Sequence, residues 1–300
     1  MFDFDLDKFK LTAFRNDEAS LKEEVLAIKE LIKSKPNGQK LFDEIAPKID
    51  RIEFGTGGEV VYRGYYCPDL FSTFTVGGCN RGKLLKRVTK KSKITYEFGY
   101  CEDSLSLVKK FDPSDQSIWL IELIERISDI ELGLEFEVGK KARKIGRLTA
   151  VHISQFDGDK LLNTRTYLKD YYNDYEYEYN CDWYMYENDL LTGVKHVDYI
   201  HNRDLKMLHK QEITFIHDAD GCPVQFIVDN HKDIINEITK VNHEYYRREH
   251  LQNNNKWYNC DNGGWGWSNL YEICFMMKKS TPIDIFMIYY KNTFKNRRNI

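Results

Sequence analysis

The sequence has little proline. Six residues in 300 leave no proline-rich stretch to mark a linker between domains. No cysteine pair stands at C-x-x-C spacing, and the count is odd: Cys67, Cys79, Cys101, Cys181, Cys222, Cys260 and Cys274. Wide spacings in a long chain argue against a disulfide framework and for reduced thiols. Structural zinc usually shows paired ligands, so no metal and no cofactor are predicted. The start, Met1-Phe2-Asp3-Phe4-Asp5, lacks a basic segment followed by an apolar one, so no secretory signal is expected. The late apolar stretch Ile285 to Tyr290 falls far short of the roughly 20 residues that span a bilayer. A cytoplasmic location is the expectation. The net charge of −3 points to no partner by itself.

The common catalytic motifs are also missing. Gly55-Thr56-Gly57-Gly58 is followed by Glu59-Val60-Val61-Tyr62, which is strand sequence. A phosphate loop needs a helix start there. Asp218-Ala219-Asp220-Gly221 would put Ile216 and Ile227 at ligand positions of a calcium loop, and neither binds calcium. None of the eight histidines sits in H-E-x-x-H, and no serine sits in G-x-S-x-G. Asp204-Leu205-Lys206 matches only the D-x-K fragment of a metal nuclease site. Any active site must therefore be assembled from distant residues, with His152, His196 and His217 on predicted strands the histidines to watch.

Aromatic residues are plentiful at 14%, with 20 Tyr and 17 Phe, and they favour strands. The pattern predicts an α+β fold, predominantly antiparallel β-meanders, in two meander-plus-helix halves with an N-terminal helical segment. Phe2, Phe4 and Leu6 alternate with acids as in a strand. Ser20 and Glu23 have capping-box spacing, and Leu21, Val25, Ile28 and Ile32 then share a helix face. A short helix is expected over 40–45. Strands are expected over 51–54, 59–66, 70–76, 84–88 and 92–100, then a helix over 113–128 carrying Ile118, Ile121, Ile124 and Ile127. The second half, from 130, reads as strands 130–138, 147–156, 161–168, 175–186, 193–200, 205–217 and 222–228, then a helix over 230–250. Asp157-Gly158 and Asp220-Gly221 are hairpin signals. A strand is expected over 270–277; 282–292 suits helix and strand equally. Two units are expected, 1–129 and 130–300. Short sequential connections make antiparallel pairing the default.

Charge is unevenly spread. From Lys169 to Asp189 tyrosines alternate with acids and only one basic residue is present. Alternation puts Tyr175, Tyr177, Tyr179, Cys181 and Trp183 on one face and Glu176, Glu178, Asn180 and Asp182 on the other. Glu176, Glu178 and Asp182, with Tyr184 and Tyr186, form a candidate docking surface for a basic protein, since tyrosine combines apolar area with a hydroxyl. From Leu70 to Tyr96 there is no acid, but Arg81, Lys83, Lys86, Arg87, Lys90, Lys91 and Lys93 are present. These are candidate phosphate contacts, although no aromatic residue is interleaved for base stacking. Lys140, Lys141, Arg143, Lys144 and Arg147, and the tail Lys291, Lys295, Arg297 and Arg298, add basic clusters. Trp257, Trp265 and Trp267 suit loop anchoring better than ligand stacking. Preference for Lys, Asn, Ile, Tyr and Phe fits an AT-rich genome, bacterial or phage. The expected function is non-catalytic protein binding, as in an immunity or antitoxin protein. The alternatives are a metal-dependent hydrolase or nuclease with a non-local site, and nucleic-acid binding through basic hairpins.

Overall fold

A computed structural model describes residues 5–34, 36–58, 62–69, 82–139, 144–158, 160–168, 175–202, 206–217, 223–234, 237–251, 254–259 and 265–266, with backbone alone from 223 onward and at 175–176, 201–202 and 206. The expected strands 70–76 and 270–277, the undecided 282–292 and the turn Asp220-Gly221 lie outside the described residues.

Among the described residues fifteen strands form one antiparallel sheet. They are β1 (Arg51–Thr56), β2 (Lys83–Leu84), β3 (Tyr96–Cys101), β4 (Ser104–Phe111), β5 (Ile118–Ile127), β6 (Ile130–Val138), β7 (Ile145–Asp157), β8 (Lys160–Leu168), β9 (Tyr175–Glu187), β10 (Leu190–Asn202), β11 (Lys206–His217), β12 (Pro223–Ile234), β13 (Glu237–Leu251), β14 (Asn254–Asn259) and β15 (Trp265–Gly266). From β3 to β15 each strand pairs with its sequence neighbour; at the other end β1 lies between β3 and β2. Two helices precede the sheet, α1 (Glu18–Lys33) and α2 (Gly38–Ile45). No helix among the described residues is long and apolar enough to cross a membrane.

Helix α1 begins earlier than the capping-box spacing implies. Asp17 is its N-cap, and its Oδ1 accepts the Ser20 amide at 3.0 Å, which satisfies one orphan donor of the first turn. Leu21, Val25, Ile28 and Leu31 are buried against the sheet. Helix α2 starts from Asn37, whose Oδ1 accepts from the Lys40 amide at 3.0 Å. Ile45 is buried with the same cluster as Leu123, Leu134, Phe136 and Val151. At roughly 1.5–3 kcal/mol per fully buried aliphatic side chain, this layer is a main source of stability.

Several expectations are corrected. The helix expected over 113–128 is a turn followed by β5, which pairs with β4 and β6. Leu123 faces the helices, while Glu122 and Ile124 face the opposite side. Both faces of β5 are covered, so the polar alternation that marks a half-exposed strand is missing, and apolar residues all round mimic a helix. The helix expected over 230–250 is β12 and β13, paired from Gln225↔Arg247 to Ile234↔Glu237. Its apolar residues at helical spacing belong to two strands of one hairpin. The alternation at the start leads into a 3-10 turn, Leu6–Phe9, whose Leu6 and Phe9 are buried. The strand expected over 59–66 is, in its described part, a turn and a 3-10 segment, Gly64–Tyr66. The strand over 84–88 shrinks to β2. Asp129 lies in the β5–β6 hairpin turn, and the sheet is continuous across it.

Candidate functional site

The sheet has two differently covered faces. Helices α1 and α2 cover one. Segment 62–69 lies on the other, where Tyr65 and Tyr66 join a core with Phe98, Tyr100, Ile124 and Phe215. The strap is fixed at both ends, and a row of ionisable side chains lies on the sheet around it.

At one end Arg63 has a left-handed backbone, φ 54°. A non-glycine residue adopts that conformation at a cost of order 1 kcal/mol, and only where its surroundings impose it. Here they do. Arg63 Nε donates to both carboxylate oxygens of Glu122 at 2.9 Å, Nη2 donates to Glu122 Oε1 at 2.8 Å, and Nη1 to Glu131 Oε1 at 2.5 Å. All three residues are buried. Gly133, the cross-strand partner of Ile124, makes the space: a Cβ there would stand 2.1 Å from Glu122 Oε1 and 2.7 Å from Arg63 Nη2. Gly64, φ 49°, is required as well, because a Cβ would meet the Tyr96 ring at 2.4 Å.

Next to this triad Tyr62 stacks on His152, with ring centroids 4.2 Å apart and planes at 4°. His152 Nδ1 bonds Thr166 Oγ1 at 3.1 Å, and its Nε2 has no hydrogen-bond partner. Burial, then the charge of Arg63, pushes His152 down to about 3, so it is neutral. Glu135 on the same face is raised to about 7 by burial and by Glu122, although Thr149 Oγ1 donates to it at 2.9 Å.

At the other end Asp69 accepts from Tyr184 OH at 3.3 Å. Tyr184 lies beside Thr164, whose hydroxyl donates to Asp182 Oδ2 at 3.2 Å. Asp182 Oδ1 meets His196 Nδ1 at 2.5 Å, and His196 Nε2 meets Asp198 Oδ2 at 2.9 Å. His209 Nδ1 approaches the same Asp198 oxygen at 3.3 Å. Burial alone would lower His196, but the two carboxylates raise it to about 10. Burial would raise Asp198, but the charge of His196 and the bonds from both histidines hold it well below the carboxylate range. Burial and the neighbouring Asp69 push Asp182 upward, and the charge and hydrogen bond of His196 oppose them.

His196 therefore stands between two carboxylates as an imidazolium with both nitrogens donating. It has no free lone pair with which to take a proton, which a general base needs at neutral pH. His152 has the lone pair but is buried in a π-stack. The two histidines share a face yet sit three strands apart, about 14 Å at the usual strand spacing. His217 is near the far end of β11, where it meets Phe215. The watched histidines thus do not converge, whereas His196 and His209 meet through Asp198.

Of the expected docking residues, Asp182 and Tyr184 are buried, at 1% and 2% exposure, because the strap covers their side of β9. Glu178 is half-buried, as is Tyr186, whose hydroxyl donates to Leu161 O at 3.0 Å. Glu176 is in β9 by its backbone. Lys83, Lys86, Arg87, Lys90 and Lys91 are exposed along the segment joining β2 to β3. Arg81, Asp204-Leu205, Lys140, Lys141, Arg143, Trp267 and the basic tail lie outside the described residues. Among the described residues no group of three or more His, Cys, Asp or Glu is placed to hold a metal ion. A pocket of about 430 Å³ opens between α2 and β4–β6, lined mainly by Phe42, Phe111, Ile118, Ile121, Val138 and Ile145; its described lining includes no histidine or carboxylate.

Sequence reasoning missed Arg63, Glu122 and Glu131 because their contacts join residues 59 and 68 apart. The signal for the histidine chain was present: alternation in β10 puts Val194, His196 and Asp198 on one face, and antiparallel pairing sets Asp182 opposite His196. Comparison with protein-family models, with curated proteins and with solved structures finds no match.

Proposed function

We propose that the chain is a non-catalytic binding protein of the cytoplasm, holding a basic protein partner on the acidic, tyrosine-bearing ends of β9. One observation carries this reading. The buried acid and base groups are engaged with one another, Arg63 with two glutamates and His196 with two aspartates. Groups engaged in this way lock a fold in one arrangement and leave recognition to the surface. The acids that this reading assigns to the partner are Glu176 and Glu178 at the start of β9 and exposed Glu187, beside Tyr186, at its finish. The burial of Asp182 and Tyr184 moves the surface from the middle of the strand to these ends. Free thiols at Cys67, Cys101 and Cys181 suit a reducing compartment. An immunity or antitoxin role, in which the partner is a basic toxin, is the concrete form of this reading.

The test is affinity capture from the native host, followed by titration of the purified partner against wild type and against Glu176→Lys/Glu178→Lys. Reversing two interface charges should weaken binding by about tenfold or more and make it less salt-dependent. Recovery of no stoichiometric partner, or equal affinity in the variant, would sink the proposal.

A further inference from the structure

The segment 82–95 carries Lys83, Lys86, Arg87, Lys90, Lys91 and Lys93 and no acid. All six cations are exposed. Its tip is ordered: the Thr89 amide donates to Ser92 Oγ at 2.9 Å and the Ser92 amide to Thr89 O at 3.0 Å, which sets Lys90 and Lys91 at the apex of a closed turn. The sequence by itself shows no aromatic residue among these cations, but the fold brings one alongside. The end of the segment is held to the β4–β5 connection, where the Ile94 amide donates to Gln116 Oε1 at 3.0 Å and the Phe111 amide to Thr95 O at 2.9 Å. Three residues beyond Gln116 stands Trp119, 39% exposed and one of six exposed large apolar side chains among the described residues. Lys110 Nζ lies 5.0 Å from the Trp119 ring and 5.7 Å from the Tyr96 ring. The opposing charges nearby, Asp112 and Asp115, are each engaged within the turn by Ser114 and Ser117 respectively.

Exposed cations on a segment anchored to the connection that precedes an exposed indole suit single-stranded nucleic acid. The lysines follow the phosphates, and every base has a face to stack, whatever the sequence. Duplex would use the cations but leave the indole unused. We propose that this surface binds single-stranded nucleic acid, with phosphates along Lys83, Lys86, Arg87, Lys90 and Lys91 and a base on Trp119. It shares no residue with the β9 surface, so either proposal stands or falls alone.

The experiment uses the full chain and labelled oligo-dT and oligo-U of about 20 nucleotides, read by fluorescence anisotropy at about 50 and 200 mM salt. Binding is expected at the lower salt, falling steeply at the higher. Lys86→Glu/Arg87→Glu/Lys90→Glu/Lys91→Glu should abolish it. Trp119→Ala should weaken it by about 5- to 150-fold, the effect of losing one base stack, with the salt slope unchanged, and Trp119→Phe should restore most of it. A preference for either sugar fits the proposal. Circular dichroism confirms that each variant is folded, and the exposed positions make that the expected outcome. No binding at the lower salt overturns the proposal. So does unchanged affinity in Trp119→Ala, or equal binding of heparin or of anionic vesicles that the tryptophan change leaves intact, since these would mark a general polyanion or membrane surface.

Discussion

His196 has two carboxylates on its ring and is buried, so its charge is tied to folding. Its folded value of about 10 lies above the ordinary 6.5. A raised value means that its contribution is complete below 6.5 and is lost as pH rises through 10, at a limiting slope of about 1.4 kcal/mol per pH unit. The protein should therefore lose stability between about pH 7 and pH 10. His196→Gln should be less stable at neutral pH and lose little more at alkaline pH. Urea unfolding midpoints across that range check this. Parallel wild-type and variant curves would show that the imidazolium contributes nothing.

Strand β5 shows how an element's surroundings hide its period. Its sequence, Ile118-Trp119-Leu120-Ile121-Glu122-Leu123-Ile124, buries apolar residues on both faces, Ile121 and Leu123 beneath the helices and Ile124 beneath the strap. Strands with one solvated or polar face, such as β6 to β11, were legible from alternation and turn residues; Asp157-Gly158 does form the β7–β8 turn, with Gly158 at φ 58°. The strap was not legible, since nothing local says that Arg63 reaches Glu122. Its docking depends on the backbone of β6 at Gly133. Gly133→Ala forces the Glu122 carboxylate and the Arg63 guanidinium apart, and should cost about 1–3 kcal/mol, the range for overpacking a filled core. A thermal melt of this variant beside wild type measures the loss. A neutral result would mean that the strap is not held as described.

Across the whole molecule, most of the sheet could be read from the chain, but the buried arginine ion pairs could not. Sheet pairing between sequence neighbours is a local property, and its signals are local. The pairs Arg63–Glu122, Arg63–Glu131 and Arg165–Glu24 join distant segments, and only tertiary packing brings them together. Strand β9 alternates, and the covering of its middle makes Asp182 and Tyr184 part of the core. The ionisable groups between strap and sheet hold segment 62–69 in place, with Arg63 on Glu122 and Glu131 at one end and Asp69 on Tyr184 at the other. Urea unfolding of Arg63→Met tests it most directly. Removing one member of a buried ion-paired set strands the others, so a loss of about 3–5 kcal/mol is predicted, largely recovered in Arg63→Met/Glu122→Met/Glu131→Met. An Arg63→Met protein as stable as wild type would contradict the claim.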